Sequence, residues 1–178
     1  MKLTGRQGKQ SLISILRNEI DPNSIQGFIL ASSEQLVVLQ YVYDFNLDGL
    51  MVLSKSEITE IRSTATDKFQ RKLLAKEGLL KTVPFETAFD LQSWRSIIKQ
   101  FAKAYPLIIL ECERGDKPDF VIGRVEKTTS IAAYVRYFTG TGRWLDEPVR
   151  VNYSDITSCQ VGTNYQKLYQ KYFDRVVP

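Results

Sequence analysis

The chain states one pattern twice, and that repetition limits its architecture more than any other feature. "SEITEIRSTATDKFQRKL" runs from Ser56 to Leu73, and "SDITSCQVGTNYQKLYQKY" runs from Ser154 to Tyr172. Each opens on serine, an acid, isoleucine and threonine, passes through a short apolar-polar alternation, and then takes helical spacing. Upstream, "LISILRN" is answered by "LIILECE", "IQGFILASS" by "FVIGRVEKTTS", and "LVVLQYVYDF" by "IAAYVRYF". Gly27 returns as Gly123 in the second strand of each set. A glycine inside a strand marks a bend or a close backbone approach.

Each half therefore reads as five short strands and a helix. In the first half the helix starts near Thr64, with Phe69, Leu73 and Leu74 apolar among Lys68, Arg71, Lys72 and Lys76. Gly78 suits its C′ position. In the second half Tyr165, Leu168, Tyr169 and Tyr172 mark the helix. Between the halves, "FDLQSWRSIIKQFAKAY" carries one apolar stripe through Phe89, Trp94, Ile97, Ile98, Phe101 and Tyr105, with Asp90 suited to its cap and Pro106 ending it. "EIDPNS", "NLDG", "RGDKPD" and "TGTGRWLDE" supply turns. A five-stranded antiparallel sheet removes its edges most completely by closing on itself, the alternative being an open sheet covered by helices. The expected fold is mainly β with helices: two tandem five-stranded antiparallel small β-barrels, each followed by a helix, joined by an amphipathic helix. The expected divisions are a flexible tail over 1–10, a first barrel and helix over 11–80, a linker and connecting helix over 81–105, and a second barrel and helix over 106–178.

Two segments, Leu12 to Arg62 and Leu107 to Val161, resemble the Sm-like and SH3-like small β-barrels in strand count, strand spacing and the second-strand glycine. "LIILECE", "FVIGRVEK", "VRYFTGTGRW" and "YSDITSCQVGTNY" together are also similar to a family of uncharacterised bacterial proteins. The Sm-like resemblance implies RNA binding through two loops. One pairs an aromatic that stacks a base with an asparagine that reads its edge; here "YDFNLDG" offers Phe45 and Asn46. The other carries an arginine after an isoleucine; here it is Arg62 after Ile61, with Ser63 where the family has glycine. In the second half Arg136, Arg143 and Trp144 interleave charge with an aromatic, a mixture suited to single-stranded nucleic acid.

The net charge of +4 permits a nucleic-acid partner without demanding one, because the basic residues form no long run. The chain has 178 residues, 43% apolar and 25% charged, in the globular range. It contains no histidine and only two cysteines, so the usual zinc spacings are impossible, and no cofactor or metal is expected. Cys112 and Cys159 lie mid-strand and read as reduced thiols of a cytoplasmic protein. The basic start "MKLTGRQGKQSLISIL" is too short and too broken in its apolar part for a signal peptide, and no membrane partner is expected. Glu111 and Glu113 share a strand face but lack a histidine or nucleophile beside them, so no enzyme activity is expected. The expected function is a non-catalytic binding module for single-stranded RNA. The alternative is a protein-interaction or scaffold module using exposed strand edges, with self-association compatible with either.

Overall fold

The computed structural model describes residues 10–114 and 119–176. Most of the expected tail over 1–10, and residues 115–118 of the expected "RGDKPD" turn, lie outside the described residues. The chain divides into two compact units, Met1–Phe89 and Asp90–Pro178. The first contains β1 (Leu12–Arg17), β2 (Asp21–Ser32), β3 (Leu36–Tyr43), β4 (Asn46–Ser54), β5 (Glu60–Arg62) and α1 (Ala65–Lys76). The second contains α2 (Trp94–Ala104), β6 (Ile108–Cys112), β7 (Asp119–Thr128), β8 (Ala132–Tyr137), β9 (Val149–Asn152), β10 (Ser158–Val161) and α3 (Asn164–Val176).

The antiparallel strands of each unit form an open arrangement, and this corrects the expectation of two closed barrels. The order is β5-β1-β2-β3-β4 in the first unit and β10-β6-β7-β8-β9 in the second. Among the described residues β5 pairs within its unit only with β1, through Ser14↔Arg62 and Leu16↔Glu60, and β10 only with β6. Among the described residues no pairing carries β5 round to β4 or β10 round to β9. The physical reason is length. β5 has three residues, and the chain leaves it for the cap of α1 two residues later, too soon to fill a second ladder. Edge protection comes from short strands and charge instead of closure. Glu60 and Arg62 stand on β5, 3.7 Å apart as an ion pair, and exposed Arg150 stands on β9.

The repetition survives in the register. Gly27 lies opposite Tyr41, and Gly123 lies opposite Tyr137. A register shift falls between Ile29 and Ala31 in one unit and between Val125 and Lys127 in the other. A bulge three residues past the glycine bends each long strand. The first core gathers Ile13, Ile15, Val37, Leu39, Met51 and Leu53; the second gathers Leu107, Ile109, Ile122, Phe138 and Phe173.

Each helix after a sheet is locked to it by the same device. Thr64 caps α1, and the third helical residue, Asp67, answers it in a capping box. Asp67 is fully buried and accepts from Thr64 N at 2.7 Å, Thr64 Oγ1 at 2.8 Å, Ser14 Oγ at 2.8 Å and Gln26 Nε2 at 2.7 Å. One carboxylate thus ties helix, β1 and β2 together. In α3, Gln166 accepts from Thr163 N at 3.0 Å and donates to Leu107 O at 3.2 Å and Gln160 O at 3.0 Å. The spacings Thr64-x-x-Asp67 and Thr163-x-x-Gln166 are visible in the sequence as capping signals.

Burial pushes the Asp67 carboxyl up, but the hydrogen bonds from Thr64, Ser14 and Gln26 together hold it below the ordinary value. A folded pKa below the unfolded one adds stability above the unfolded pKa, near 3.9, and that stability is lost as pH falls through the folded value. Asp67→Asn places an amide among donors, and is expected to cost about 1–3 kcal/mol at pH 7. Urea titrations of both proteins should show the difference shrinking as pH is lowered below about 4. An equal gap at all pH values would remove the carboxylate from this role.

Three local differences from the sequence reading have simple causes. Phe69 is 60% exposed, because α1 turns Asp67 and Leu74 inward and leaves the aromatic outside. The turn between β3 and β4 is Asp44-Phe45, not "NLDG": both residues have positive φ, 45° and 60°, while Gly49 at φ 76° serves a register shift inside β4. α2 is capped by Ser93, whose side chain accepts from Ser96 N at 3.2 Å, and it buries Ile97, Ile98 and Phe101 while Trp94 stays half-buried. Cys112 and Cys159 are both free; burial raises both thiols, Cys112 to about 11.

Candidate nucleic-acid interface

The six residues singled out in the sequence are divided between the units, Phe45, Asn46 and Arg62 in the first and Arg136, Arg143 and Trp144 in the second. Phe45 and Asn46 sit at the β3–β4 turn, with Phe45 47% exposed and Asn46 Nδ2 donating to Asp44 O at 2.8 Å. Arg62 lies on β5, with β1, β2 and β3 between it and β4 in the strand order. It pairs with Glu60. The two loops that the resemblance pairs thus belong to opposite ends of the first unit's strand order. Tyr43 is 63% exposed, while Tyr41 packs against the first core, so the strand's aromatics are divided between surface and interior.

In the second unit Arg136 is a structural residue. Its Nε donates to Glu126 Oε1 at 2.7 Å, and its Nη1 donates to the carbonyls of Leu145 and Asp146. The hydrogen bond to Glu126 raises its pKa further, so the guanidinium stays charged while holding β7 and the loop after β8. Trp144 is half-buried. Its ring lies 5.2 Å from Phe138 and 4.7 Å from Phe173, with the Arg124 guanidinium 5.1 Å from its centroid. Trp144 thus belongs to the ring cluster of this unit. Glu111 and Glu113 are likewise structural: Ser158 Oγ and Gln160 Nε2 donate to Glu111, and Thr157 Oγ1 donates to Glu113 at 2.5 Å.

Arg143 differs from these. Its side chain is exposed, at the end of a hairpin loop held by Gly142 N to Thr139 O at 2.8 Å and Thr139 N to Arg143 O at 2.9 Å. This loop meets α3. Tyr169 Oη donates to Gly140 O at 2.7 Å. Gly142 has φ 75°, and a Cβ there would stand 2.7 Å from Tyr172 Cε1. Glycine thus lets the backbone lie flat against the tyrosine ring. Gly140, Thr141 and Gly142 on one side, with Leu168, Tyr169 and Tyr172 on the other, enclose an open cleft of about 290 Å³.

The helix behind the cleft has three sectors. Gln166, Tyr169 and Phe173 face the sheet. Tyr165, Leu168 and Tyr172, spaced i, i+3 and i+7, are exposed, Leu168 to 65%. Lys167, Lys171 and Arg175, spaced i, i+4 and i+8, form the adjoining exposed row, with Asp174 the acid of the outer surface. The exposed rings are anchored. Phe120 meets Tyr165 at 6.4 Å, Tyr165 meets Tyr169 at 5.0 Å, and Tyr169 meets buried Phe138 at 4.7 Å. Sequence reasoning marked Tyr165, Leu168 and Tyr172 only as a helix stripe. The signal for their exposure was the excess of apolar positions on α3, more than one buried face can hold.

The described residues contain no group of three or more acidic, histidine or cysteine side chains placed to hold a metal ion. No helix among them is long and apolar enough to cross a membrane. No family model, curated protein or solved structure matches the chain.

Proposed function

We propose that the protein is a non-catalytic binding module for single-stranded nucleic acid, RNA in the first instance, and that the contact is the α3 surface with the loop carrying Arg143. The observation that supports this reading is the row of exposed, core-anchored rings beside a basic row and an aromatic-walled cleft. Rings accept bases of any identity by stacking, and lysine and arginine neutralise phosphates. Nothing in the cleft resembles a base-edge reader, so affinity is set by charge and stacking, with weak sequence preference. The Sm-like loop contacts through Phe45 and Arg62 are not part of this proposal.

The test is fluorescence polarisation with short labelled RNAs over a range of salt. Four cations, Arg143, Lys167, Lys171 and Arg175, would give a log-log salt slope of about −3. Tyr172→Ala should weaken binding by about 1–3 kcal/mol for every sequence, with unchanged circular dichroism because the ring is largely outside the core. No binding at low salt, where charge attraction is strongest, would defeat the reading. A protein partner is the second reading, favoured by the exposure of Leu168, which stacks nothing, and of Tyr43 in the first unit.

A further inference from the structure

The opposite flank of α3 borders a different cavity, of about 300 Å³, between the helix and the segment Tyr105-Pro106-Leu107. Its walls are almost wholly carbon. Tyr105 supplies an aromatic side, held edge-on by Phe101 at 5.9 Å between ring centroids. Gly162, at φ 68°, and the stems of Lys167 and Lys171 complete the wall. Gln166 uses both ends of its side chain on Thr163, Leu107 and Gln160. Gln170 Nε2 donates to Asp174 Oδ1 at 2.5 Å, while its Oε1 is buried without a hydrogen-bond partner. No carboxylate lines the cavity.

We infer that this cavity binds a small apolar anion: a flat or aliphatic body carrying one carboxylate, sulfonate or phosphate. The body replaces water against Tyr105, Pro106 and Leu107. Lysine stems lie along apolar walls while their ammonium heads stay in water, so two cations one helical turn apart stand at the mouth to meet the anion. The volume is at the lower end of ligand cavities, which limits the body to roughly one or two fused rings or a short chain. The inference does not rest on the nucleic-acid reading: the two share the cations Lys167 and Lys171, but that reading uses the rings on the other flank of α3.

The probes are 2-naphthoate and its neutral isostere 2-naphthamide, titrated into the ¹⁵N-labelled full chain and followed by amide chemical shifts. Naphthoate is expected to move the amides of Leu107, Gly162, Lys167 and Lys171 with one-site saturation. Naphthamide should bind the same place about tenfold more weakly, the loss of a pair of solvent-facing charge contacts. The double variant Lys167→Glu with Lys171→Glu should remove that preference without changing the melting temperature, because both side chains are exposed. The double variant Tyr165→Ser with Tyr172→Ser should leave naphthoate affinity unchanged while abolishing RNA binding, which separates the two sites. Equal affinity for both probes, shifts confined to other regions, or no shifts at millimolar naphthoate would each overturn the inference.

Discussion

Gly123→Ala is expected to unfold the second unit or to destabilise it by more than about 3 kcal/mol. Replacing glycine by alanine in a strand ordinarily helps, since alanine has less freedom to lose. Here a Cβ would overlap Arg136 O and lie 2.7 Å from its carbonyl carbon and 3.1 Å from Tyr137 Cα. These are backbone atoms of the paired strand, which no rotamer change can move. Relief would require parting β7 from β8, and overpacking costs of about 1–3 kcal/mol apply to sites that can relax more easily than this one. Gly27→Ala should act in the same sense and more mildly, because its Cβ would stand 2.7 Å from Gln40 O and 3.2 Å from Leu39 Cβ. Equilibrium denaturation of both variants checks the order. A Gly123→Ala protein as stable as the parent would show that β7 and β8 do not approach as closely as described.

Phe138→Ala is expected to cost about 3–5 kcal/mol, the usual loss for a fully enclosed aromatic. Phe138 is 1% exposed and touches four other rings, at 6.5 Å for Tyr137, 5.2 Å for Trp144, 4.7 Å for Tyr169 and 4.9 Å for Phe173. Its removal would leave a cavity under both the Arg143 loop and α3, so a red shift of tryptophan emission should accompany the stability loss. Phe120→Ala is the control: its ring is 42% exposed, and it should cost under about 1 kcal/mol. If the two variants lose stability equally, the ring cluster is not the core of this unit. If Phe138→Ala folds but loses RNA binding, the exposed tyrosines depend on the buried ring for their placement, as the contact chain from Tyr165 through Tyr169 implies.

Much of the local structure was legible because it depends on near neighbours in the chain. The repeated strands, the paired glycines and the helix after each sheet follow from alternation, glycine placement and helical spacing. Gly78 takes the left-handed conformation at the end of α1 that its position suggested. The starts of α1 and α3 were legible too, through Thr64-x-x-Asp67 and Thr163-x-x-Gln166. What was not visible is that Asp67 also reaches β2, and Gln166 the residue before β6, each more than 40 residues away in sequence. A capping motif declares its own helix and nothing about the sheet beneath.

The sequence by itself determined that this chain is built of two like sets of antiparallel strands, each followed by a helix, with a bend or a close backbone approach at Gly27 and Gly123. Strand periodicity and the steric demand for glycine are properties of a few consecutive residues, so the chain carries them openly. Only the tertiary structure decided whether the strands close. Closure depends on whether a three-residue β5 can hold two ladders at once, and periodicity contains no information on that. Only the tertiary structure decided which charges remain available. Arg136 and Arg143 look alike in the sequence, yet a glutamate across the ladder and two loop carbonyls engage one and leave the other at an exposed turn. The same holds for Trp144, drawn into the ring cluster, and for Tyr165 and Tyr172, left outside because α3 carries more apolar residues than its sheet-facing side can bury. A side chain's type fixes what chemistry it can do, and the neighbours that folding brings to it fix whether that chemistry is free to act.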